Sequence, residues 1–180
     1  MKRLLSFLSM LVVAVTGSVV VAASPAAAAP PEGYYFIVNA LSGNCLDQNY
    51  TGGVARPQVY AWTCNYGTNQ KWQLRASSAG SSLWFYLENV RSGQCLNQDF
   101  SNNVEHSNVI AYRCGSGMND LWYASWVTSQ NTIMLGNGKT NKCLDQSYTG
   151  GTPGTAILAW TCSSNRDAAT NQHWVLVRMP

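Results

Sequence analysis

The sequence predicts an all-β fold with threefold pseudo-symmetry, and three observations carry that prediction. A nine-residue stretch occurs twice, CLDQNYTGG at 45–53 and CLDQSYTGG at 143–151, with a diverged version, CLNQDFSNN, between them at 95–103. The six cysteines, at 45, 64, 95, 114, 143 and 162, fall into three pairs, each 19 residues apart. Short aromatic or β-branched runs alternate with Gly- and Asn-rich turns, and little of the chain shows a sustained helical period.

The first element is a leader. MKRLLSFLSMLVVAVTGSVVVAASPAAAAPPEG places Lys2 and Arg3 before an apolar run and a stretch of small residues, the order of a secretory signal peptide. We expect residues 1–28 to be that peptide, cleaved after Ala28 or, failing that, after Ala23. Residues 29–33 then form a short leader to a single domain at 34–180. An uncleaved anchor is the competing reading, weakened by Gly17, the Ser and Thr residues in the run and the small-residue site that follows. No Cys lies there to take a lipid, and no later segment is apolar enough to span a bilayer. The mature chain is expected to be secreted, with no membrane insertion.

About 150 residues remain, enough for one domain with its own core. Loss of Lys2 and Arg3 takes the formal net charge from +3 to +1. A basic stripe for nucleic acid is missing. Trp, Tyr, Asn, Gln and Gly dominate instead, which offers flat apolar faces beside uncharged donors and acceptors. Such a surface suits a neutral, polyhydroxylated ligand.

All the cysteines lie in the mature part, where export makes disulfides the default. Six cysteines allow fifteen connectivities. Three equal gaps favour Cys45–Cys64, Cys95–Cys114 and Cys143–Cys162. A zinc site would need C-x-x-C pairs or spaced histidines, and His106 and His173 fit no such pattern. No metal or cofactor is expected, and both histidines read as ordinary polar residues.

The repeats span about 34–82, 83–130 and 131–177. Residues 45–64 and 143–162 share 12 of 20 identities. The first repeat opens with the strand run YYFIVN (34–39), continues through CLDQ and QVYAW (58–62), and closes with NQKW (69–72). The second runs WFYLEN (84–89), CLNQ, NVIAY (108–112) and NDLW (119–122), with Phe100 where the others have Tyr50 and Tyr148. The third runs TIMLGN (132–137), CLDQ, AILAW (156–160) and NQHW (171–174), with four extra residues within NRDA (165–168), hence a longer loop. Gly52, Gly53, Gly150 and Gly151 read as turn glycines with positive φ. NYT at 49–51 fits a glycosylation pattern that an exporting bacterium would leave unmodified. About four short strands per repeat cannot bury a core alone, so three copies must share one. Three copies of this length point to a β-trefoil.

With these motifs in order, the chain resembles the ricin B-chain type β-trefoil lectins, also a family of carbohydrate-binding modules. The resemblance rests on Cys-Leu-Asp, an aromatic two residues before the second Cys, and a closing Gln-x-Trp, and it covers nearly all of the mature chain. It implies shallow sugar sites in repeats 1 and 3. In repeat 1, Asp47 would accept from two hydroxyls, Trp62 would stack under the ring, Asn69 would bond a hydroxyl and Gln70 would brace Asp47. Asp145, Trp160, Asn171 and Gln172 would do the same in repeat 3. Trp72, Trp122 and Trp174 would be core. Sugar C–H faces prefer an aromatic ring to water, and an ionised carboxylate is acceptor-only, so these residue types suit the chemistry.

The middle copy departs from the set at Asn97, Tyr112, Asn119 and Asp120. There the Asn97 amide is expected to donate to Asp120, which reverses the bond and leaves the site weak or silent. Tyr60 and Leu158, each four residues before a Cys, differ between the two better sites, which are therefore expected to differ in preference.

The expected function is a secreted, non-catalytic lectin for galactose-type glycans. Xylan- or arabinose-type polysaccharides, or a role as a glycan-binding delivery or accessory subunit, are the alternatives. An enzyme is not expected. A glycosidase needs two carboxyl groups about 5–10 Å apart, whereas Asp47 and Asp145 belong to different repeats.

Overall fold

The computed structural model describes residues 29–180 apart from 52, 79–82, 100–106, 150–151 and 169. The expected signal peptide, Gly52, Phe100, His106, Gly150 and Gly151 lie outside the described residues.

Twelve strands run through the described residues. They are β1 (Gly33–Asn39), β2 (Cys45–Thr51), β3 (Val54–Trp62), β4 (Lys71–Ala76), β5 (Phe85–Asn89), β6 (Cys95–Gln98), β7 (Ser107–Tyr112), β8 (Trp122–Val127), β9 (Thr132–Asn137), β10 (Cys143–Thr149), β11 (Thr152–Trp160) and β12 (Trp174–Arg178). Single 3₁₀ turns at Met118–Asp120 and Thr170–Gln172 precede β8 and β12.

Six strands close into an antiparallel barrel in the order β1, β4, β5, β8, β9, β12 and back to β1. The other six form three hairpins, β2–β3, β6–β7 and β10–β11. Strands β3, β7 and β11 pair with one another and cap one end of the barrel. This is a β-trefoil, with one hairpin and two barrel strands per repeat.

Period-two alternation explains the barrel. In β4, Trp72 and Leu74 face inward while Lys71, Gln73 and Arg75 face out, and β5 sends Phe85, Leu87 and Asn89 inward. One core gathers residues from all three repeats, including Leu46, Leu96 and Leu144 from the hairpins. Trp72, Trp122 and Trp174 are fully buried. Their indole N–H groups donate to the Leu46, Leu96 and Leu144 carbonyls, each at 2.9 Å. Each Trp thus fills the barrel and fastens it to its own repeat's hairpin without leaving a buried donor unpaired.

The Asn that ends each repeat's first strand shapes the following turn. The side-chain oxygens of Asn39, Asn89 and Asn137 accept from the backbone N–H of Leu41, Arg91 and Lys139, each at 3.1 Å. Disulfides join Cys45–Cys64, Cys95–Cys114 and Cys143–Cys162, with Cα atoms 5.0 Å apart in each. Each pins the start of a hairpin to the loop that leaves it.

Two places differ from the sequence reading. Residues 29–32, expected as a leader, are tied to the barrel. Pro30 is buried, the Pro31 carbonyl accepts from Tyr35 Oη at 2.7 Å, and Glu32 Oε1 accepts from the Ala76 N–H at 2.6 Å. His173, expected as an ordinary polar residue, is fully buried with Nδ1 2.9 Å from Gln130 Oε1. The long loop of repeat 3 is the reason. It docks on the β8–β9 turn, where Ser129 Oγ donates to Asp167 Oδ1 at 2.6 Å and Gln130 Nε2 donates to the Asp167 carbonyl at 2.7 Å. His173 lies under that contact, and burial lowers its pKa.

Candidate functional site

In repeat 1, Asp47 lies on β2 opposite Tyr60 of β3, and Trp62 ends β3 opposite Cys45. Asn69 and Gln70 come from the turn before β4. The chain therefore brings the four residues together, the disulfide fixing one end and buried Trp72 the other. Asn69 Nδ2 donates to Asp47 Oδ1 at 2.9 Å, and Gln70 Nε2 donates to Asp47 Oδ2 at 2.7 Å. Gln70 also donates to the Thr63 carbonyl at 3.0 Å, and its oxygen accepts from the Asn65 and Tyr66 N–H groups. The carboxylate is thus held from behind by a fully bonded amide. Burial raises the Asp47 pKa above its ordinary value, while the Gln70 and Asn69 bonds pull it back. Trp62 is 53% exposed, so its face is open to a ligand, and Tyr60 packs beside it at 5.9 Å.

Repeat 3 repeats this frame with one difference. Gln172 Nε2 and Asn171 Nδ2 both donate to Asp145 Oδ2, at 2.8 and 3.0 Å. Asp145 Oδ1 has no hydrogen-bond partner among the described residues. Burial pushes this carboxyl up to about 6, against the pull of the two amides. Asp145, Ser147, Tyr148, Leu158, Trp160 and Asn171 line a cavity of about 300 Å³. Tyr148 and Ser147 were not singled out as site residues from the sequence. The signal was there: an aromatic at the fifth position after the first Cys, next to a break in ladder register between Gln146 and Tyr148. Such breaks concentrate beside functional sites.

Repeat 2 is wired differently from expectation. Asn119 Nδ2 donates to Asn97 Oδ1 at 2.7 Å, but the Asn97 amide does not reach Asp120. It donates to Ser116 Oγ at 2.8 Å, and Asp120 Oδ2 accepts from the Ser116 N–H at 2.8 Å and its hydroxyl at 3.3 Å. A shorter side chain at 120 leaves a gap that the Ser116 hydroxyl fills. Asp120 Oδ1 is buried without a partner among the described residues. Tyr112, on the strand position of Trp62, is 49% exposed.

Among the described residues, one grouping of acid and sulfur atoms is tight enough for an ion, Glu88 with Cys95 and Cys114, and its sulfurs are joined to each other.

The family models place this geometry. A ricin-type β-trefoil lectin domain-like model matches residues 26–112, and the ricin-type β-trefoil lectin domain model matches residues 83–179, more than half of the chain. The chain belongs to the ricin-type β-trefoil lectin family. This ricin-type module is similar in fold to a designed threefold-symmetric protein, at 24% identity, TM-score 0.69, and coverage of 82% of this chain and 99% of that one. It is also similar to an exo-β-1,3-galactanase from Clostridium thermocellum, at 26% identity and TM-score 0.67 over 84% of this chain. It spans only 31% of that enzyme. The ricin B-like lectin of Macrolepiota procera, solved with lactose, matches at 20% identity and TM-score 0.62, over 87% of this chain and all of that one. No curated protein sequence matches. Family and fold together make this chain a non-catalytic carbohydrate-binding β-trefoil module.

Proposed function

We propose that this ricin-type module is secreted after loss of residues 1–28 and binds galactose-type sugars through repeats 1 and 3. The observation that carries the reading is the repeated constellation of a buried, amide-braced carboxylate (Asp47, Asp145) beside an aromatic face (Trp62, Trp160) at an open surface. A carboxylate offers acceptors for two hydroxyls and the indole covers the apolar C–H face. The lactose bound by the Macrolepiota lectin and the galactan-cleaving relative favour galactose as the first sugar to test. Repeat 2, with an amide in place of the carboxylate, is proposed to be weak or silent. A shallow site of this kind has a dissociation constant on the order of millimolar, about −4 kcal/mol.

The test is a residue-resolved NMR titration of the mature protein with lactose. Shifts centred on Asp47, Trp62, Asp145 and Trp160, and abolished site by site in Asp47→Ala and Asp145→Ala, are expected. Lactose shifts that persist unchanged in both variants would refute the assignment.

A further inference from the structure

The pseudo-symmetry allows one outer-face position to be compared three times. Where β4 pairs β5, Gln73 faces Glu88 and Arg75 faces Tyr86. Where β12 pairs β1, Val175 faces Val38 and Val177 faces Phe36. Where β8 pairs β9, Tyr123 faces Gly136 and Ser125 faces Met134. The first position is filled by the Arg75–Glu88 ion pair, with the Arg75 guanidinium over the Tyr86 ring. Side chains fill the second too: Tyr66 packs edge-on against Phe36 at 5.1 Å.

The third position is hollow. Gly136 supplies no side chain, and the Tyr123 ring lies across it so closely that a Cβ there would overlap the ring. Ser125 is short where Arg75 is long. What remains is a cavity of about 220 Å³ under the Cys143–Cys162 disulfide, floored by Met134. Arg166 also lines it. This residue lies within the four-residue insertion peculiar to repeat 3, which Asp167 anchors to the β8–β9 turn. The Arg166 guanidinium reaches the Trp126 carbonyl at 3.5 Å, the far limit of a hydrogen bond, and has no ion-pair partner among the described residues.

An unpaired guanidinium, the hydroxyls of Tyr123 and Ser125 and an apolar floor recognise a small ring that carries a carboxylate. Guanidinium binds carboxylate through two parallel N–H bonds, Tyr123 and Ser125 can bond ring hydroxyls, and Met134 with the disulfide faces C–H groups. We infer that this cavity is a further subsite for an acidic sugar unit of the uronic acid class. It is separate from the Asp47 and Asp145 sites and does not depend on them.

The probes are glucuronate, glucose and inorganic sulfate, titrated into the isotope-labelled mature protein and read at the Tyr123, Gly136 and Arg166 amides. Glucose differs from glucuronate only at C6, where a hydroxymethyl group stands in place of the carboxylate. Glucuronate is expected to shift these amides in a saturable way, and glucose to leave them still. Arg166→Gln, on an exposed loop, is expected to weaken glucuronate by about tenfold or more, with lactose shifts in repeat 1 unchanged. Ser125→Glu puts a carboxylate into the cavity, at a strand position that holds Arg75 in the first repeat, and is expected to abolish the glucuronate response. Glucuronate that leaves these amides unmoved, or binds Arg166→Gln as it binds the parent, would overturn the inference. Sulfate binding as tightly as glucuronate would overturn it as well, because the cavity would then be a general anion site.

Discussion

Asp47 and Asp145 hold the same place in two repeats, yet their oxygens are used differently. Asp47 spends one oxygen on each amide, whereas Asp145 gives both amides one oxygen. Burial pushes the Asp145 carboxyl up to about 6. The sign follows. A folded-state pKa above the ordinary 3.8 means that the fold favours the protonated acid. The stability this group contributes is full below about 4 and is lost as pH rises through about 6. On the proposed reading sugar binding runs the other way, because the ionised form would accept two hydroxyls. Lactose affinity at repeat 3 should fall as pH drops through about 6, and shifts near Trp160 followed from pH 7.5 to 5 will show it. A pH-flat response at repeat 3 would contradict the carboxylate role. Also at this scale, Gln70→Leu should cost about 1–3 kcal/mol, since the buried Asp47 oxygen and the Asn65 and Tyr66 N–H groups lose partners. Denaturant midpoints check it. The grouping of Asp, Asn and Gln was legible in the sequence because the same offsets recur in two copies. The Ser116 relay in repeat 2 was not, because side-chain reach depends on backbone path rather than on spacing.

At the scale of single elements, strands were legible wherever side chains alternate. WFYLEN was expected to start at Trp84, but β5 begins at Phe85. Trp84 instead packs edge-on against Tyr123 at 5.3 Å, a contact between the two ends of one repeat that no local pattern announces. Docking of residues 165–168 on the β8–β9 turn was illegible for the same reason, and buried His173 went unforeseen with it. The hairpins lend themselves to a clean prediction. Replacing Cys95 and Cys114 with alanine should lower stability by about 2–4 kcal/mol, chiefly by loosening the unfolded chain. Lactose shifts in repeats 1 and 3 should survive. Thermal melts of the variant beside the parent measure the first, and the titration the second.

At the scale of the whole molecule, each repeat braces the one before it. Ser92 Oγ donates to Gln48 Oε1 at 2.6 Å, Thr140 Oγ1 to Gln98 Oε1 at 2.6 Å, and Ser42 Oγ to Gln146 Oε1 at 2.7 Å, closing a ring. The amides of Asn89, Asn137 and Asn39 donate in the same sense to the carbonyls of Asn69, Asn119 and Asn171. Ser42→Ala, in the first repeat, should therefore weaken lactose binding in the third while sparing the first, and cost about 1 kcal/mol of stability. Threefold symmetry was readable from three cysteine pairs, but this circular bracing was not, since Ser42 and Gln146 are 104 residues apart. The two proposed sites, held on one rigid body, would gain avidity on a polymer, by about 10²-fold where spacing permits.

Two working sites on a three-part scaffold are tested by titrating Asp47→Ala, Asp145→Ala and the double variant with lactose. Each single variant should lose the shifts of its own repeat alone and the double variant both, with the fold intact by its amide spectrum. A folded double variant that still binds lactose with the parent's affinity would contradict the two-site reading.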